Sequence, residues 1–219
     1  MRLNDEFELR EALKVYLILG SPNCKHRPAE VLKAAIEGGI TFFQYREKGI
    51  GAFTGSKKYQ LAKELQQICR EHHIPFIVND DIELAIALGA DGVHIGQEDE
   101  SIESVRKRVG NKIIGVSVHS FEEAIKAIEG GADYFGMGPI FPTKTKADAK
   151  TPKGTTLIEQ FRNWGITIPI VGIGGITENN AGAVIKAGAD GVSVITAISE
   201  AHSPKEVAKA IRKNVEADL

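Results

Sequence analysis

Leu88-Gly89-Ala90-Asp91-Gly92-Val93 returns almost unchanged as Ala187-Gly188-Ala189-Asp190-Gly191-Val192, and in looser form as Gly130-Gly131-Ala132-Asp133-Tyr134 and Gly38-Gly39-Ile40-Thr41-Phe42. Each copy closes a helix-like segment on glycine, as a left-handed C-cap favours, and an apolar strand opens just after it. The copies are therefore helix-to-strand corners. They recur about forty to sixty residues apart, roughly twice the length of one compact strand-plus-helix unit, so the four corners imply about eight units.

Strands fall where that count requires them: Val15 to Leu19, Thr41 to Tyr45, Phe76 to Val78, Gly92 to Ile95, Ile113 to Ser117, Tyr134 to Met137, Ile170 to Gly172 and Gly191 to Ile195. Nearly all are short, continuous and rich in Val, Ile and Phe, as strands buried on both faces of a parallel sheet should be. Amphipathic stretches such as Lys57 to His73, Phe121 to Ile128 and Pro204 to Val215 supply crossover helices. Eight repeats in 219 residues fit a small α/β (β/α)₈ TIM barrel better than a doubly wound open sheet. A further N-terminal helix from Asp5 to Leu13 is expected to cover the barrel floor, and no linker splits residues 1–219, which read as one domain.

Composition narrows the function classes. Hydrophobic residues make up 42% and charged residues 26%, with a formal net charge of -2, so the chain lacks the basic field that nucleic acid or an anionic membrane requires. Any anion site must be local. The N-terminus has no apolar signal core and no stretch is long and apolar enough to span a bilayer, so a cytoplasmic setting is expected, with small molecules as partners and a homo-oligomer left open. Cys24 and Cys69 have no CxxC spacing, which argues against a zinc knuckle or a redox dithiol.

In such a barrel the chemistry gathers at the C-terminal ends of the strands. After the second strand, Gln44-Tyr45-Arg46-Glu47-Lys48 alternates so that Gln44, Arg46 and Lys48 point to one side, where an amide, a guanidinium and an ammonium could meet a polyanion. The third and fourth strands run into Asn79-Asp80-Asp81 and Gly96-Gln97-Glu98-Asp99. Acids crowded on neighbouring strands call for a hard cation such as Mg²⁺, held by Asp80 and Asp99 through few protein oxygens. A helix cap competes as the reading of Asp81, which precedes Ile82-Glu83-Leu84-Ala85. His94, flanked by Val93 and Ile95, reads as a satisfied buried or barrel-facing histidine rather than a ligand.

Ser117 could donate a hydrogen bond into the mouth, but no Asp-His relay beside it marks a nucleophile. His119 or Ser120 competes to serve a helix terminus. The stretch from Gly138 to Gly154 is long for this fold and brings hydroxyls and four lysines, a composition suited to closing over phosphate. Gly172-Ile173-Gly174-Gly175-Ile176-Thr177 and Val194-Ile195-Thr196 follow the seventh and eighth strands, where glycine-exposed N–H groups and a short helix form the recurrent barrel phosphate site; glycines making a tight turn are the competing reading.

Taken together, Gln44 to Lys48, Asn79-Asp80-Asp81, His94 to Asp99, Gly138 to Thr143 and Gly172 to Ile176 resemble the thiamine phosphate synthase family, in order and at compatible spacing from the first strand to the last. That resemblance implies a (β/α)₈ barrel joining a hydroxymethylpyrimidine diphosphate to a thiazole phosphate alcohol, with release of pyrophosphate. It implies that Gln44, Arg46, Lys48, Asn79 and Lys146 bind the pyrimidine diphosphate, with Ser117 near the reacting end, and that Asp80 and Asp99 hold Mg²⁺. Thr143, Thr145, Gly175, Ile195 and Thr196 would hold the thiazole phosphate; the family more often has Ser at the last position. Arg46, Lys48, Lys146 and Ser117 would serve catalysis by stabilising and positioning charge, with Asp81 and Glu98 as support. A related thiazole tautomerase has a histidine where this chain has Pro139 and lacks the paired acids. Other rivals are a sugar-phosphate epimerase, whose acids would shuttle protons, and a non-catalytic barrel that binds thiamine precursors.

Overall fold

The computed structural model describes residues 6–143 and 151–219. Eight parallel strands close in sequence order into one barrel, each hydrogen-bonded to the next and β8 back to β1. They are β1 (Val15–Leu19), β2 (Phe42–Tyr45), β3 (Phe76–Asn79), β4 (Gly92–Ile95), β5 (Ile113–Val118), β6 (Tyr134–Met137), β7 (Ile170–Ile173) and β8 (Gly191–Val194). The helices are α1 (Glu6–Leu13), α2 (Pro28–Glu37), α3 (Gly55–Glu71), α4 (Ile82–Leu88), α5 (Ile102–Val109), α6 (Phe121–Glu129), α7 (Thr156–Asn163), α8 (Ala181–Lys186), α9 (Thr196–Ser199) and α10 (Pro204–Asp218). The (β/α)₈ barrel and its additional N-terminal helix are thus both present.

Small departures from the expected boundaries have local causes. Thr41 falls just outside β2, where its N–H donates to the Val15 carbonyl and its hydroxyl accepts from the Val15 N–H, both at 2.8 Å. Ile195 leaves β8 because its backbone turns to φ −119°, ψ −93° to become the N-cap of α9. No helix among the described residues is long and apolar enough to cross a membrane.

The repeated corners share one hydrogen-bonding device. At the floor of the barrel, an N–H in the first two residues of each odd-numbered strand needs an acceptor, and a residue just before the next strand supplies it. Thr41 serves Val15, Asp91 serves Phe76 at 2.9 Å, Asp133 serves Ile114 at 2.7 Å and Asp190 serves Ile170 at 2.8 Å. The echo recurs every second unit because it binds strands in pairs. Arginines complete two of the corners in the same way. Arg106 reaches the carbonyls of Gly110, Lys112 and Gly131 and the Asp133 carboxylate, while Arg162 reaches those of Ile166, Ile168 and Gly188 and the Asp190 carboxylate.

Helix α1 closes the floor from below. Its Arg10 pairs with Asp190 and the Thr167 carbonyl, and its Leu9 and Leu13 pack under Tyr16, Phe42, Ile77 and Tyr134 inside the barrel. A second apolar layer, including Phe43, Tyr45, Phe76, Phe135 and Phe161, lies between the sheet and the surrounding helices. Each such side chain contributes about 1.5–3 kcal/mol by leaving water. The interior turns polar higher up, with Gln44, His94 and Ser193 all buried. This stacking fixes which strand ends face the mouth.

Candidate functional site

The end of β2 divides its polar residues between two levels. Gln44 is only 1% exposed and its amide nitrogen donates to Tyr16 Oη at 2.7 Å, so it sits within the barrel rather than beside Lys48 at the mouth. Tyr45 points outward to the helices, and Arg46 is half-buried with its N–H on the Leu19 carbonyl. Glu47 ties two loops together, accepting from the Ser21 N–H at 2.8 Å, the Ser21 hydroxyl and the Phe53 N–H at 2.7 Å. Lys48 extends across to Asp80, with Nζ 2.8 Å from Oδ2.

Asp80 is held in an uncommon conformation. Its φ of +60° is left-handed, which costs a non-glycine residue of order 1 kcal/mol or more and is concentrated at functional positions. Its N–H bonds the His94 carbonyl at 2.9 Å, locking the end of β3 to β4. Burial, opposed by Lys48 and reinforced by the neighbouring Asp99 carboxylate, holds the Asp80 carboxyl above its ordinary range. The same bond to Asp80 holds the Lys48 ammonium more firmly protonated. Asp99 is oriented by the Gly96 N–H, which donates to Oδ2 at 2.7 Å.

Two carboxylates that repel each other across adjacent strand ends fit a cation bound through few protein oxygens, as Mg²⁺ is. Among the described residues no group of three or more His, Cys, Asp or Glu could cage a metal, so the remaining positions would fall to water and ligand oxygens. Asp81 does other work: its Oδ1 accepts from the Leu84 N–H at 2.9 Å as the N-cap of α4, and its Oδ2 pairs with Lys58 at 2.7 Å. Glu98 is exposed and lines the cavity.

The mouth opens into a cavity of about 920 Å³, lined by Lys48, Asp99, Ser117, Thr143, Gly175, Ile195 and Thr196 among the expected residues. Gln44, Arg46, Asn79 and Asp80 do not line it; Asp80 meets it through Lys48. Lys144, Thr145 and Lys146 lie outside the described residues, while the return of that segment is anchored by Lys153, whose Nζ donates to the His119 carbonyl at 3.0 Å. Gly174 and Gly175 have φ of +99° and +63°, and a Cβ on Gly175 would fall 2.6 Å from the Pro142 carbonyl oxygen. They therefore let the segment after β6 pack closely, and both also line the cavity.

Sequence reasoning passed over several cavity residues. Lys25 sits on the loop after β1, and its only signal was that position. Ser193, on β8, is the buried side chain whose hydroxyl lacks a partner among the described residues. His94 is buried and satisfied as expected, but by Tyr134 and Ser117. Ser120 caps α6, and His119 pairs with Glu123. Burial pushes the Cys24 thiol up to about 12 and raises Cys69 as well, so neither is a thiolate nucleophile at neutral pH.

The family described as thiamine monophosphate synthase matches residues 15–198. The chain is 59% identical over 212 residues to the thiamine-phosphate synthase of Bacillus mycoides, covering 97% of each chain. It is 61% identical to that of Bacillus cereus, over 95% of this chain and 93% of the relative. Among solved structures, thiamine phosphate pyrophosphorylase from Pyrococcus furiosus superposes with a TM-score of 0.86 at 39% identity, over 96% of this chain and 99% of the other.

Proposed function

The chain belongs to the thiamine monophosphate synthase family, and we propose that it condenses hydroxymethylpyrimidine diphosphate with the thiazole phosphate alcohol to give thiamine phosphate and pyrophosphate. The observation that carries the reading is the convergence of Lys48, Asp80 and Asp99 at neighbouring strand ends beside a cavity large enough for two small substrates. In the reaction, the bond from the pyrimidine methylene carbon to the diphosphate oxygen breaks and its electron pair leaves with pyrophosphate. The ring stabilises the resulting carbocation. The thiazole nitrogen then donates its lone pair to close the new C–N bond.

No protein nucleophile takes part in this scheme; the chain's residues bind, orient and stabilise charge. Lys48 and Arg46, with Lys146 by family resemblance, meet the leaving diphosphate; Gln44 and Asn79, which the same resemblance assigns to the pyrimidine diphosphate site, stand behind the cavity lining. Asp80 and Asp99 would hold Mg²⁺, which when bound neutralises charge on the departing pyrophosphate. Ser117 stands near the reacting carbon. Thr143, Thr145, Gly175, Ile195 and Thr196 hold the thiazole phosphate through hydroxyl and backbone N–H groups, and Thr196 keeps the hydroxyl of the more usual serine.

The test is direct. Purified protein given both substrates and MgCl₂ is expected to release pyrophosphate and form thiamine phosphate, and to stop when EDTA is added. Absence of metal-dependent pyrophosphate release would overturn the proposal.

A further inference from the structure

A line of polar side chains crosses the otherwise apolar barrel and ends in the cavity. Gln44 Nε2 donates to Tyr16 Oη at 2.7 Å, and Tyr16 Oη lies 2.8 Å from Tyr134 Oη. Tyr134 Oη lies 3.0 Å from His94 Nδ1, and His94 Nε2 lies 3.0 Å from Ser117 Oγ. Gln44, Tyr16, Tyr134 and His94 are buried, whereas Ser117 lines the cavity. The last three of the five lie on the adjacent strands β4, β5 and β6.

The backbone is shaped around this line. Gly115 faces the meeting point of the phenol and the imidazole: a Cβ there would fall 2.1 Å from the Tyr134 ring and 2.5 Å from His94 Nδ1. A Cβ on Gly136 would approach the His94 ring to 3.0 Å. Glycine weakens a strand interior, so its use in β5 and β6 marks room made for these two side chains. Gln97 holds the same point from outside, donating to the Ser117 carbonyl at 2.6 Å.

One arrangement of protons runs the whole line in a single direction, toward the cavity. Burial raises both tyrosines above their ordinary range, so each phenol keeps one proton to donate. Tyr16 accepts from Gln44, which leaves its own proton available to Tyr134 at 2.8 Å. When Tyr134 in turn passes its proton to His94 Nδ1 at 3.0 Å, that nitrogen accepts and is unprotonated. The neutral ring then carries its proton on Nε2 and donates it to Ser117. With Ser117 accepting from within, its own proton is left to point outward.

We propose that Gln44, Tyr16, Tyr134 and His94 form a one-way hydrogen-bond relay that aims the Ser117 hydroxyl proton at an acceptor atom of the substrate in the cavity. His94 and Tyr134 are then positioning residues. The relay itself is independent of any substrate, whereas its effect on turnover rests on the synthase reading above.

Nitrogen-15 NMR of histidine-labelled protein without substrate tests the relay, with the His94 signals assigned by their absence from His94→Gln. At neutral pH the expected spectrum has an unprotonated Nδ1 and a protonated Nε2, and Tyr134→Phe is expected to abolish that preference. A proton on Nδ1, an imidazolium, or an unchanged tautomer in Tyr134→Phe would overturn the proposal. In steady-state assays with both substrates, Tyr134→Phe and His94→Leu are expected to lower kcat by roughly ten-fold or more, with the KM for thiazole phosphate kept within about two-fold. His94→Gln, whose amide restores an N–H toward Ser117, is expected to recover much of the loss. Wild-type turnover in Tyr134→Phe and His94→Leu, or a His94→Gln no better than His94→Leu, would also sink it. A wild-type protein that makes no product would instead count against the synthase reading and leave the NMR result to decide the relay.

Discussion

Asp80 combines a left-handed backbone, a partly buried carboxylate and a like charge nearby, and each of these works against stability unless function requires it. Asparagine tolerates the same backbone and still accepts from Lys48, but it carries no charge. Asp80→Asn is therefore expected to melt no lower than the wild type while losing about a hundred-fold or more in turnover, checked by thermal denaturation beside a pyrophosphate assay. Asp81 behaves in the opposite way. Burial tends to raise its carboxyl, but Lys58 and the Leu84 N–H outweigh burial and hold it below the ordinary range. A depressed folded-state value stabilises the fold above the unfolded value and loses that effect as pH falls through the folded one. Asp81→Ala is expected to cost about 1 kcal/mol at neutral pH, and denaturant titrations should show that deficit shrinking below roughly pH 4. Adjacent in sequence, the two acids were separable beforehand only by the helix that follows Asp81.

At the scale of elements, the corners explain why the chain repeats at all. A lone strand N–H at the barrel floor would cost about 1–3 kcal/mol, and an acceptor before the next strand removes that cost. Asp190 also holds Arg10 and Arg162, whereas Asp133 holds Arg106. Asp190→Ala is accordingly expected to lose more stability than Asp133→Ala, on the order of 3 kcal/mol against 2, measured by urea unfolding. The strands were legible because short Val, Ile and Phe runs after glycine corners repeat locally. The Arg106 and Arg162 contacts were not, since Arg106 is 25 residues from Gly131 and Arg162 is 28 from Asp190. Nothing local distinguishes those arginines from solvated ones.

For the molecule as a whole, a net charge of -2 coexists with a mouth lined by both signs, Lys25 and Lys48 together with Glu98, Asp99 and Glu200. Because the paired acids supply few ligands by themselves, metal is expected to serve turnover rather than folding. Chelation should stop pyrophosphate release and leave the melting midpoint of the substrate-free protein within about 2 °C of its starting value. A large fall would mean that the acids build a structural metal centre.

By itself the sequence determined the eight-fold parallel barrel, the N-terminal helix and the strand ends that carry charge, because buried strands and glycine corners are written in local periodicity. Only the tertiary structure decided that Gln44 turns into the barrel, that Gly174 and Gly175 pack against the segment after β6 while lining the cavity, and that His94 connects Tyr134 to Ser117. Those outcomes depend on how barrel closure staggers residues 16, 44, 94, 117 and 134 against one another. Stagger arises from closure of the entire sheet, and no single segment contains it.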